Sequence, residues 1–475
     1  MNKKILNILA IALALFTYAC SDLMDDLNKN VDVAPVSADT KFAITDAIIS
    51  TGFNPDYTFY ASIYMEHNVG IWNQMFNAEI RTGEVTNATT YNNAWNTSYA
   101  TLYNLKAIIE KCSEGGTEAG NYLNLGIAQI LTAYNLAVLT DAMGDVPWSE
   151  ALQPLTIKQP KLDKQEEIYK AIFKYLDDAI VNLSKPFTYT SLGAQDLLYK
   201  GKASNWIKFA HGLKARYLMR LSHKNPQYAK VIEEANLSFA NAGEQAQLTY
   251  DGSTMVSPFY AFLDDRDYFG ASQSLKDKLD ERNDPRADVY FIPYPGEDEI
   301  EFAPNGTPEQ TQEYYGISGI TDETAPTPLL SYHEIEFLKA EAHARLGHTA
   351  DAETALKKAI TAAFAKVGLD ADDADDYYTS DIQDLFEQNP LQEIMIQKYL
   401  ASYEEESFEA YNDYRRMRAM GDNFIILANP ANTNKFPWRF VYGTSDVVSN
   451  PNVNEATGNG MYVYTEKVWW AGGTR

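Results

Sequence analysis

Apolar residues recur at intervals of three and four along most of this chain, and that spacing predicts amphipathic helices. Glycine or proline follows most of the periodic segments, as at Gly144, Pro186 and Gly368, and favours a helix end there. Asp163, followed by acidic residues, is the predicted N-cap of the third segment. The predicted helices are 92–112, 121–143, 164–184, 203–223, 225–242, 329–346, 350–367 and 390–418.

Short connections join three pairs of these helices, which predicts antiparallel hairpins similar to tetratricopeptide repeats. The pairs are 121–143 with 164–184, 203–223 with 225–242, and 329–346 with 350–367. In the last pair, two sets of residues are expected to face each other: Ile335, Leu338, Ala342 and Leu346, and Ala352, Leu356, Ile360 and Ala363. The repetition is too degenerate for a tandem array.

Helical periodicity fails at about 244–328 and again after Gly421, where glycine, proline, asparagine and aspartate dominate. These segments are predicted to be long loops with short strands, and loops of this length often carry function. The predicted fold is therefore mostly α, with loop-rich insertions and a few short strands on a tetratricopeptide-like scaffold. We expect one binding domain at 39–475 that carries the insert.

The N-terminus has the pattern of an exported lipoprotein. Lys3 and Lys4 precede an apolar run at 5–18, which is too short for a membrane-spanning helix and ends before Cys20. We therefore predict a signal peptide at residues 1–19, lipidation of Cys20, and an acidic tether at residues 20–38.

Composition narrows the possible partners. A net charge of −26 argues against binding to nucleic acid or to anionic lipid surfaces. Cys112 is the only cysteine besides Cys20, so two free thiols are not available for a disulfide within the processed chain. Aromatic residues make up 13% of the chain, which suits both half-buried helix faces and ligand-stacking surfaces.

Signatures of catalysis and of metal binding are missing from the sequence. There is no nucleophile elbow, phosphate-binding glycine loop, Cys-x-x-Cys or His-Glu-x-x-His motif. His343 and His348 are five residues apart with Gly347 between them, which is not metal-ligand spacing on one helix face. The acidic run at 370–376 lacks the glycine and glutamate of an EF-hand loop and is better explained as a solvated loop. We predict no metal and no cofactor.

Three local motifs have structural explanations. In the octet 144–151, Gly144 is expected to cap a helix and Trp148 to pack back onto it. In Asp284-Pro-Arg286 and in Tyr414-Arg-Arg416, an arginine is expected to pair with a buried acid.

Several motifs occur together in one order along the chain. They are Gly144 to Ala151, Trp206-x-x-Phe209, Lys214-Ala-Arg216, Arg220-Leu-Ser222, Asp284-Pro-Arg286, Glu334-x-x-Phe337-Leu338-x-Ala340-Glu341-Ala342, Pro437-x-Arg439, Asn450-Pro-Asn452 and Trp469-Trp470. Together they resemble the SusD/RagB family of nutrient-uptake lipoproteins of Bacteroidetes, and the resemblance covers nearly the whole mature chain.

The resemblance implies an outer-membrane lipoprotein that faces outward. It implies a lid on a TonB-dependent transporter of the SusC type, which traps a ligand, often an oligosaccharide, for import. It also implies a tetratricopeptide-like scaffold. The acids Asp22, Asp25 and Asp26 after Cys20 loosely resemble the surface-export signal of such lipoproteins.

Ligand contacts in this family lie on variable loops, so candidates must come from the residues themselves. We predict stacking aromatics near the N-terminal third and in the insert, because a flat ring covers the C–H face of a sugar. These candidates are Trp72, Tyr91, Trp95, Tyr268, Phe269 and Tyr315, with Asn73, Asn92, Asn93, Asp265 and Asp267 as partners for hydroxyl groups. For Trp95, which precedes Tyr99 and Tyr103 at spacing four, core packing is at least as good an explanation.

Two alternatives to a glycan-binding lid stay open. A lipid-anchored glycoside hydrolase would need two carboxyl groups about 5 to 10 Å apart across a pocket, one with a raised pKa. A lid for a peptide or another nutrient would have fewer stacking aromatics and a more closed, polar pocket.

Overall fold

The computed structural model describes residues 39–52 and 55–475, so the predicted signal peptide, Cys20 and the tether lie outside the described residues. The fold is mostly α, as the sequence predicts. The helices are α1 (Thr40–Gly52), α2 (Pro55–Tyr64), α3 (Asn73–Glu79), α4 (Asn92–Cys112), α5 (Tyr122–Met143), α6 (Gln165–Leu183), α7 (Ala203–Arg220), α8 (Tyr228–Asn236), α9 (Pro258–Asp265), α10 (Gln273–Asp280), α11 (Ala287–Tyr290), α12 (Tyr332–Arg345), α13 (Thr349–Lys366), α14 (Ala371–Tyr377), α15 (Gln383–Gln388), α16 (Pro390–Ala401), α17 (Ser407–Met420), α18 (Thr444–Ser449) and α19 (Pro451–Thr457).

The three predicted hairpins form, since α5 packs on α6, α7 on α8, and α12 on α13. In the last hairpin the predicted facing residues are buried, with one exception. Leu346 follows the last turn of α12 as its C-cap and is 40% exposed, so its prediction as a facing residue was wrong.

Two predicted helices have other bounds. The segment predicted at 225–242 is α-helical only over α8, which ends at Asn236 with Leu237 as its C-cap. Asn241 then caps a short 3-10 turn, its side chain accepting a hydrogen bond from Gly243 N. The segment predicted at 390–418 is two helices, α16 and α17. Between them Glu404 has a φ of 68° and its carboxylate accepts a hydrogen bond of 2.9 Å from the Ser318 hydroxyl, so tertiary contacts interrupt the helix.

The strands are short and form antiparallel pairs, several of which lie in the insert or join it to the rest of the chain. The strands are β1 (Asn68–Gly70), β2 (Val146–Pro147), β3 (Leu162–Asp163), β4 (Ala246–Leu248), β5 (Phe269–Ala271), β6 (Phe291–Ile292), β7 (Ile317–Ser318) and β8 (Thr327–Leu330). β4 pairs with β8, so both ends of the insert meet in one two-stranded stem. β1 pairs with β5, with Val69 opposite Gly270, and this pairing joins the N-terminal segment to the insert. The insert also contains α9, α10 and α11, which the sequence did not predict.

Several of the sequence motifs contain buried ion pairs. Arg416 donates to both carboxylate oxygens of Glu341 at 2.7 Å, and both side chains are fully buried. Arg286 pairs with Asp284 in the same way, as predicted. Arg216 donates to Glu334 through Nε at 2.8 Å. The charged side chains of these motifs therefore stabilise contacts within the scaffold and are already paired, so they are not the ligand-binding groups.

In the octet 144–151, Gly144 caps α5 with a φ of 82° and the Trp148 ring packs edge-on against Tyr175 of α6, as predicted. Pro147, which was expected to set the turn, lies in the short strand β2. The predicted helix cap at Asp163 was wrong. Asp163 accepts from Trp148 N at 2.9 Å, so its carboxylate serves the octet and not the helix. Asp145 takes the helix start instead, accepting from Gln165 N at 2.9 Å.

The acidic run at 370–376 is a helix start and not a solvated loop. Asp370 caps α14, with its side chain accepting from Asp372 N and Asp373 N while Asp373 accepts from Asp370 N. Carboxylates near a helix N-terminus are stabilised by the backbone dipoles, which explains the acidic composition.

Among the described residues, α5 is the one helix that is long and apolar enough to cross a membrane. Nearly all of it is buried against the other helices, so it is the central helix of the core.

Candidate functional site

A cleft of about 490 Å³ lies between the N-terminal helices and the insert. Its walls are α2, the beginnings of α3 and α4, and α9 of the insert. The volume is within the range of small-molecule pockets. The site therefore draws on the two regions, the N-terminal third and the insert, where the sequence predicts ligand contacts.

Phenylalanines form the apolar side of the cleft. The Phe59 ring lies 4.3 Å from that of Phe262 and 4.9 Å from that of Phe259, measured between centroids. Phe59 and Phe262 both line the cleft. Because Phe59 belongs to α2 and Phe262 to α9, their contact fixes the distance between the two walls.

Hydroxyl groups and a carboxylate also line the cleft. Glu84 accepts hydrogen bonds through Oε1 from the Tyr60 hydroxyl at 3.2 Å and from the Thr90 hydroxyl at 3.1 Å. Its orientation is therefore fixed in the cleft. Thr89, Thr97 and Gln74 also line it, so donors and acceptors for a polyhydroxylated ligand converge there.

The charged groups of the cleft are mostly acidic. Asp56 is half-buried, and burial raises the pKa of its carboxyl from 3.8 to about 6. Arg266 pairs with Asp265 at 3.0 Å, and its guanidinium lies 5.6 Å from the centroid of the Phe262 ring. An uncharged ligand rich in hydroxyl groups suits this mixture better than an anion does.

Four of the six predicted aromatics are buried, so they offer no exposed ring face for stacking. Tyr91 and Trp95 are 0% and 1% exposed. Tyr91 stacks on Phe440 at 4.4 Å, and the indole N–H of Trp95 donates to Asp446 at 3.0 Å. Gly443 leaves room for the Trp95 ring, since a Cβ there would come within 2.5 Å of it.

Phe269 and Tyr315 are both 3% exposed. Phe269 packs against Phe262 at 5.4 Å, behind the cleft, and the Tyr315 hydroxyl accepts from Glu309 N at 3.0 Å. The rings of all four residues are therefore packed in the core, where large side chains of low polarity are most often found.

Trp72 and Tyr268 do not line the cleft themselves, but both are half-buried and lie close to residues that do, so they stay candidates. Trp72 directly precedes α3, whose Gln74 and Met75 line the cleft. Tyr268 packs edge-on against Phe262 at 6.0 Å, and its hydroxyl accepts from the Asn73 side chain at 3.2 Å. The ladder of β1 and β5 extends to this point, since Ile71 N donates to Tyr268 O at 2.9 Å.

Of the polar residues predicted to bind hydroxyl groups of a sugar, some line the cleft and others hold loops in place. Asn93 and Asp265 line the cleft. Asn92 accepts from Ser445 N at 2.9 Å, and Asp267 accepts from Glu313 N, so these two side chains hold loops in place. The exposed Asn73 contacts Tyr268, as described above.

Sequence reasoning missed Phe59, Tyr60 and Phe262. A signal for the first two was present, because the aromatic-rich segment after 54 begins with Pro55, and proline favours the first position of a helix. The contribution of Phe262 depends on α9, which lies in a segment without long helical periodicity.

Comparisons with known proteins agree with this fold. The family model SusD-like, described as starch-binding and associating with the outer membrane, matches residues 32–443. A SusD/RagB family protein from Bacteroides thetaiotaomicron is 43% identical, with a TM-score of 0.87, and the match covers 92% of this chain and 100% of that one.

More distant solved structures share the fold. A chitin-binding SusD homolog from Flavobacterium johnsoniae is 20% identical with a TM-score of 0.73, covering 90% of this chain and 98% of that one. A SusD homolog from Parabacteroides distasonis is 20% identical with a TM-score of 0.74, covering 91% and 98%. No curated protein matches the sequence. The match to the family model over most of the chain places this protein in the SusD-like family of proteins that bind starch and associate with the outer membrane.

Proposed function

We propose that this protein is a cell-surface lipoprotein that captures an oligosaccharide in the cleft between α2 and α9. It then acts as a lid on a SusC-like TonB-dependent transporter and performs no catalysis. The observation that carries the proposal is the cleft itself, in which aromatic rings and fixed hydroxyl-binding groups converge from two separate segments. The family description as starch-binding and the chitin-binding homolog support a glycan as the ligand.

The chemistry of the cleft suits a sugar. Pyranose rings have an apolar C–H face and a rim of hydroxyl groups, so they need flat apolar surfaces next to hydrogen-bonding groups. Phe262 supplies an apolar surface and Glu84 supplies a fixed acceptor. Trp72 and Tyr268, beside this surface, extend it along the chain of a longer ligand.

The first experiment is a glycan and peptide binding screen on the chain from Ser21 onward, which contains every described residue. Trp72→Ala is expected to weaken binding roughly five- to thirtyfold, since stacking of a sugar on one aromatic ring contributes on the order of 1–2 kcal/mol and about 1.4 kcal/mol is tenfold in affinity. Tyr103→Ala is the matched control, because Tyr103 is 51% exposed and lines a different groove. Equal losses from both variants, or none from Trp72→Ala and Tyr268→Ala, would refute the proposed platform.

The lid role needs a separate test because it rests on the family resemblance and not on the cleft. The full-length lipoprotein should copurify with a barrel transporter from outer membranes. A Cys20→Ser variant, which removes the predicted lipid site, should be recovered in soluble fractions. A lid that stays on its transporter needs an interface of at least about 1,600 Å². Failure to copurify would refute the lid role while leaving glycan binding intact.

A glycoside hydrolase is the second candidate function, because carboxyl groups line the cleft. The pKa of Asp56 is raised to about 6, and Glu84 lines the same cleft. The proposal predicts binding without turnover. Release of reducing ends from a bound glycan, abolished by Asp56→Asn, would favour the hydrolase instead. Binding of peptides without binding of any glycan would favour the third candidate function, a lid for a nutrient other than a glycan.

A further inference from the structure

The turn between α12 and α13 brings two histidine side chains together. The chain reverses through Gly347, whose φ is 77°, and Gly347 N donates to Ala344 O at 3.0 Å. His348 N donates to His343 O at 2.9 Å. These two hydrogen bonds define a Schellman motif, in which the side chains at the positions of His343 and His348 are neighbours.

In most such motifs the two neighbours are apolar and pack together. Here both are imidazoles, with ring centroids 5.8 Å apart. The expectation of no metal site rested on the absence of metal-ligand spacing on one helix face. That criterion does not apply across this turn, because the left-handed Gly347 folds His348 back over His343.

Asp351 supplies a third group. His348 is the N-cap of α13, and Asp351 stands three residues later, in the first helical turn. Its Oδ2 lies 3.9 Å from Nδ1 of His343. One ligand atom from each of the three residues lies within 4.8 Å of the other two.

We propose that His343, His348 and Asp351 bind one divalent transition-metal ion of the Zn²⁺ class. Two imidazoles and one carboxylate are typical zinc ligands, with bonds of about 2.0–2.2 Å and a fourth position left for water or a partner's side chain. Tetrahedral geometry places ligand atoms roughly 3.4 Å apart, so the three groups must close in by about 1 Å. His348 and Asp351 are exposed and free to make that movement, whereas His343 is more buried and more constrained.

The contacts around the site leave the ligands available. Nδ1 of His343 is buried without a hydrogen-bond partner among the described residues. The nearby Lys339 is held by Glu336 at 2.8 Å, so its ammonium is paired with another acid. Imidazole ligands disfavour Ca²⁺ and Mg²⁺, which prefer oxygen. The bound ion would link the end of α12 to the start of α13 and lock the most regular hairpin of the scaffold.

Calorimetry with ZnCl₂ on the chain from Ser21 onward tests the site, with CaCl₂ and MgCl₂ titrated in parallel. We expect one Zn²⁺ per chain and no binding of the other two ions. His343→Ala and His348→Ala should each weaken Zn²⁺ binding at least tenfold, and Asp351→Asn should weaken it less. His223→Ala is the matched control, because His223 follows α7 and lies next to Gly472 near the C-terminus, not at the turn between α12 and α13.

Two further readouts separate this site from other histidines. Saturating Zn²⁺ should raise the Tm of the wild-type chain and of His223→Ala but not of His343→Ala. Co²⁺ should give the visible absorption of a tetrahedral complex, lost in His348→Ala. Absence of one-to-one Zn²⁺ binding, or binding that both histidine variants retain, would overturn the proposal.

Discussion

Replacement of Arg286 by methionine should destabilise the protein strongly, because Arg286 anchors the insert to the helical scaffold. Its side chain is fully buried and donates to Asp284 through Nε at 2.9 Å and through Nη2 at 2.5 Å. Nη2 also donates to Gln397 on α16 at 2.9 Å, and the guanidinium lies 5.1 Å from the centroid of the Phe364 ring on α13. One side chain thus joins the insert to two scaffold helices.

The magnitude follows from what Arg286→Met leaves behind. Asp284 is also fully buried, and after the substitution its side-chain partner is the Tyr377 hydroxyl at 3.0 Å, with no cation. An unpaired buried charge of this kind costs about 3–5 kcal/mol of unfolding free energy. Removal of that charge by the double substitution Asp284→Asn with Arg286→Met should recover at least roughly 2 kcal/mol, since apolar or neutral replacements of a whole buried pair are often tolerated.

Urea denaturation followed by tryptophan fluorescence measures both values. Arg418→Met is the control, because Arg418 is exposed and its loss should cost less than about 1 kcal/mol. The reasoning is refuted if Arg286→Met costs no more than this control, or if the double variant is as unstable as the single one.

Two further substitutions test packing and titration. Trp95→Ala should cost about 3–5 kcal/mol, because the side chain is 1% exposed, but it should leave the glycan affinity of the folded protein unchanged. Urea denaturation and the binding screen measure these two effects, and loss of affinity at full stability would return Trp95 to the site. Burial raises the pKa of the Glu404 carboxyl from 4.5 to about 7. Between these two pH values the folded state keeps a proton that the unfolded chain releases. The free energy of unfolding therefore falls as pH rises from about 4.5 to 7. Glu404→Gln should therefore have the stability of the wild type near pH 4 and be more stable than the wild type above pH 7, by at most roughly 3 kcal/mol. Urea denaturation at both pH values measures this difference. An equal difference at both pH values would contradict this assignment.

The sequence was sufficient for most of the long helices and for the three hairpins, because amphipathic spacing and glycine ends are local properties of the chain. The hairpin of α12 and α13 shows this, since its apolar stripes predict the facing residues apart from Leu346. The break between α16 and α17 was not predicted, because it depends on a contact of Glu404 with Ser318 in the insert. The motifs that carry the family resemblance were also visible, and the arginines of Asp284-Pro-Arg286 and Tyr414-Arg-Arg416 pair with buried acids, as predicted.

The tertiary structure decided where the aromatic residues lie. Tyr91 and Trp95 have the same local signature as a stacking platform, yet Phe440 and Asp446, more than 300 positions away, enclose them. Phe59 and Phe262 form a cleft only because α2 and α9 meet, and nothing in either segment specifies the other. Burial is a property of contacts between distant segments, so a sequence pattern alone does not separate a core ring from a ligand-facing one. The histidine pair was decided in the same way, by a single left-handed residue that changes which side chains are neighbours.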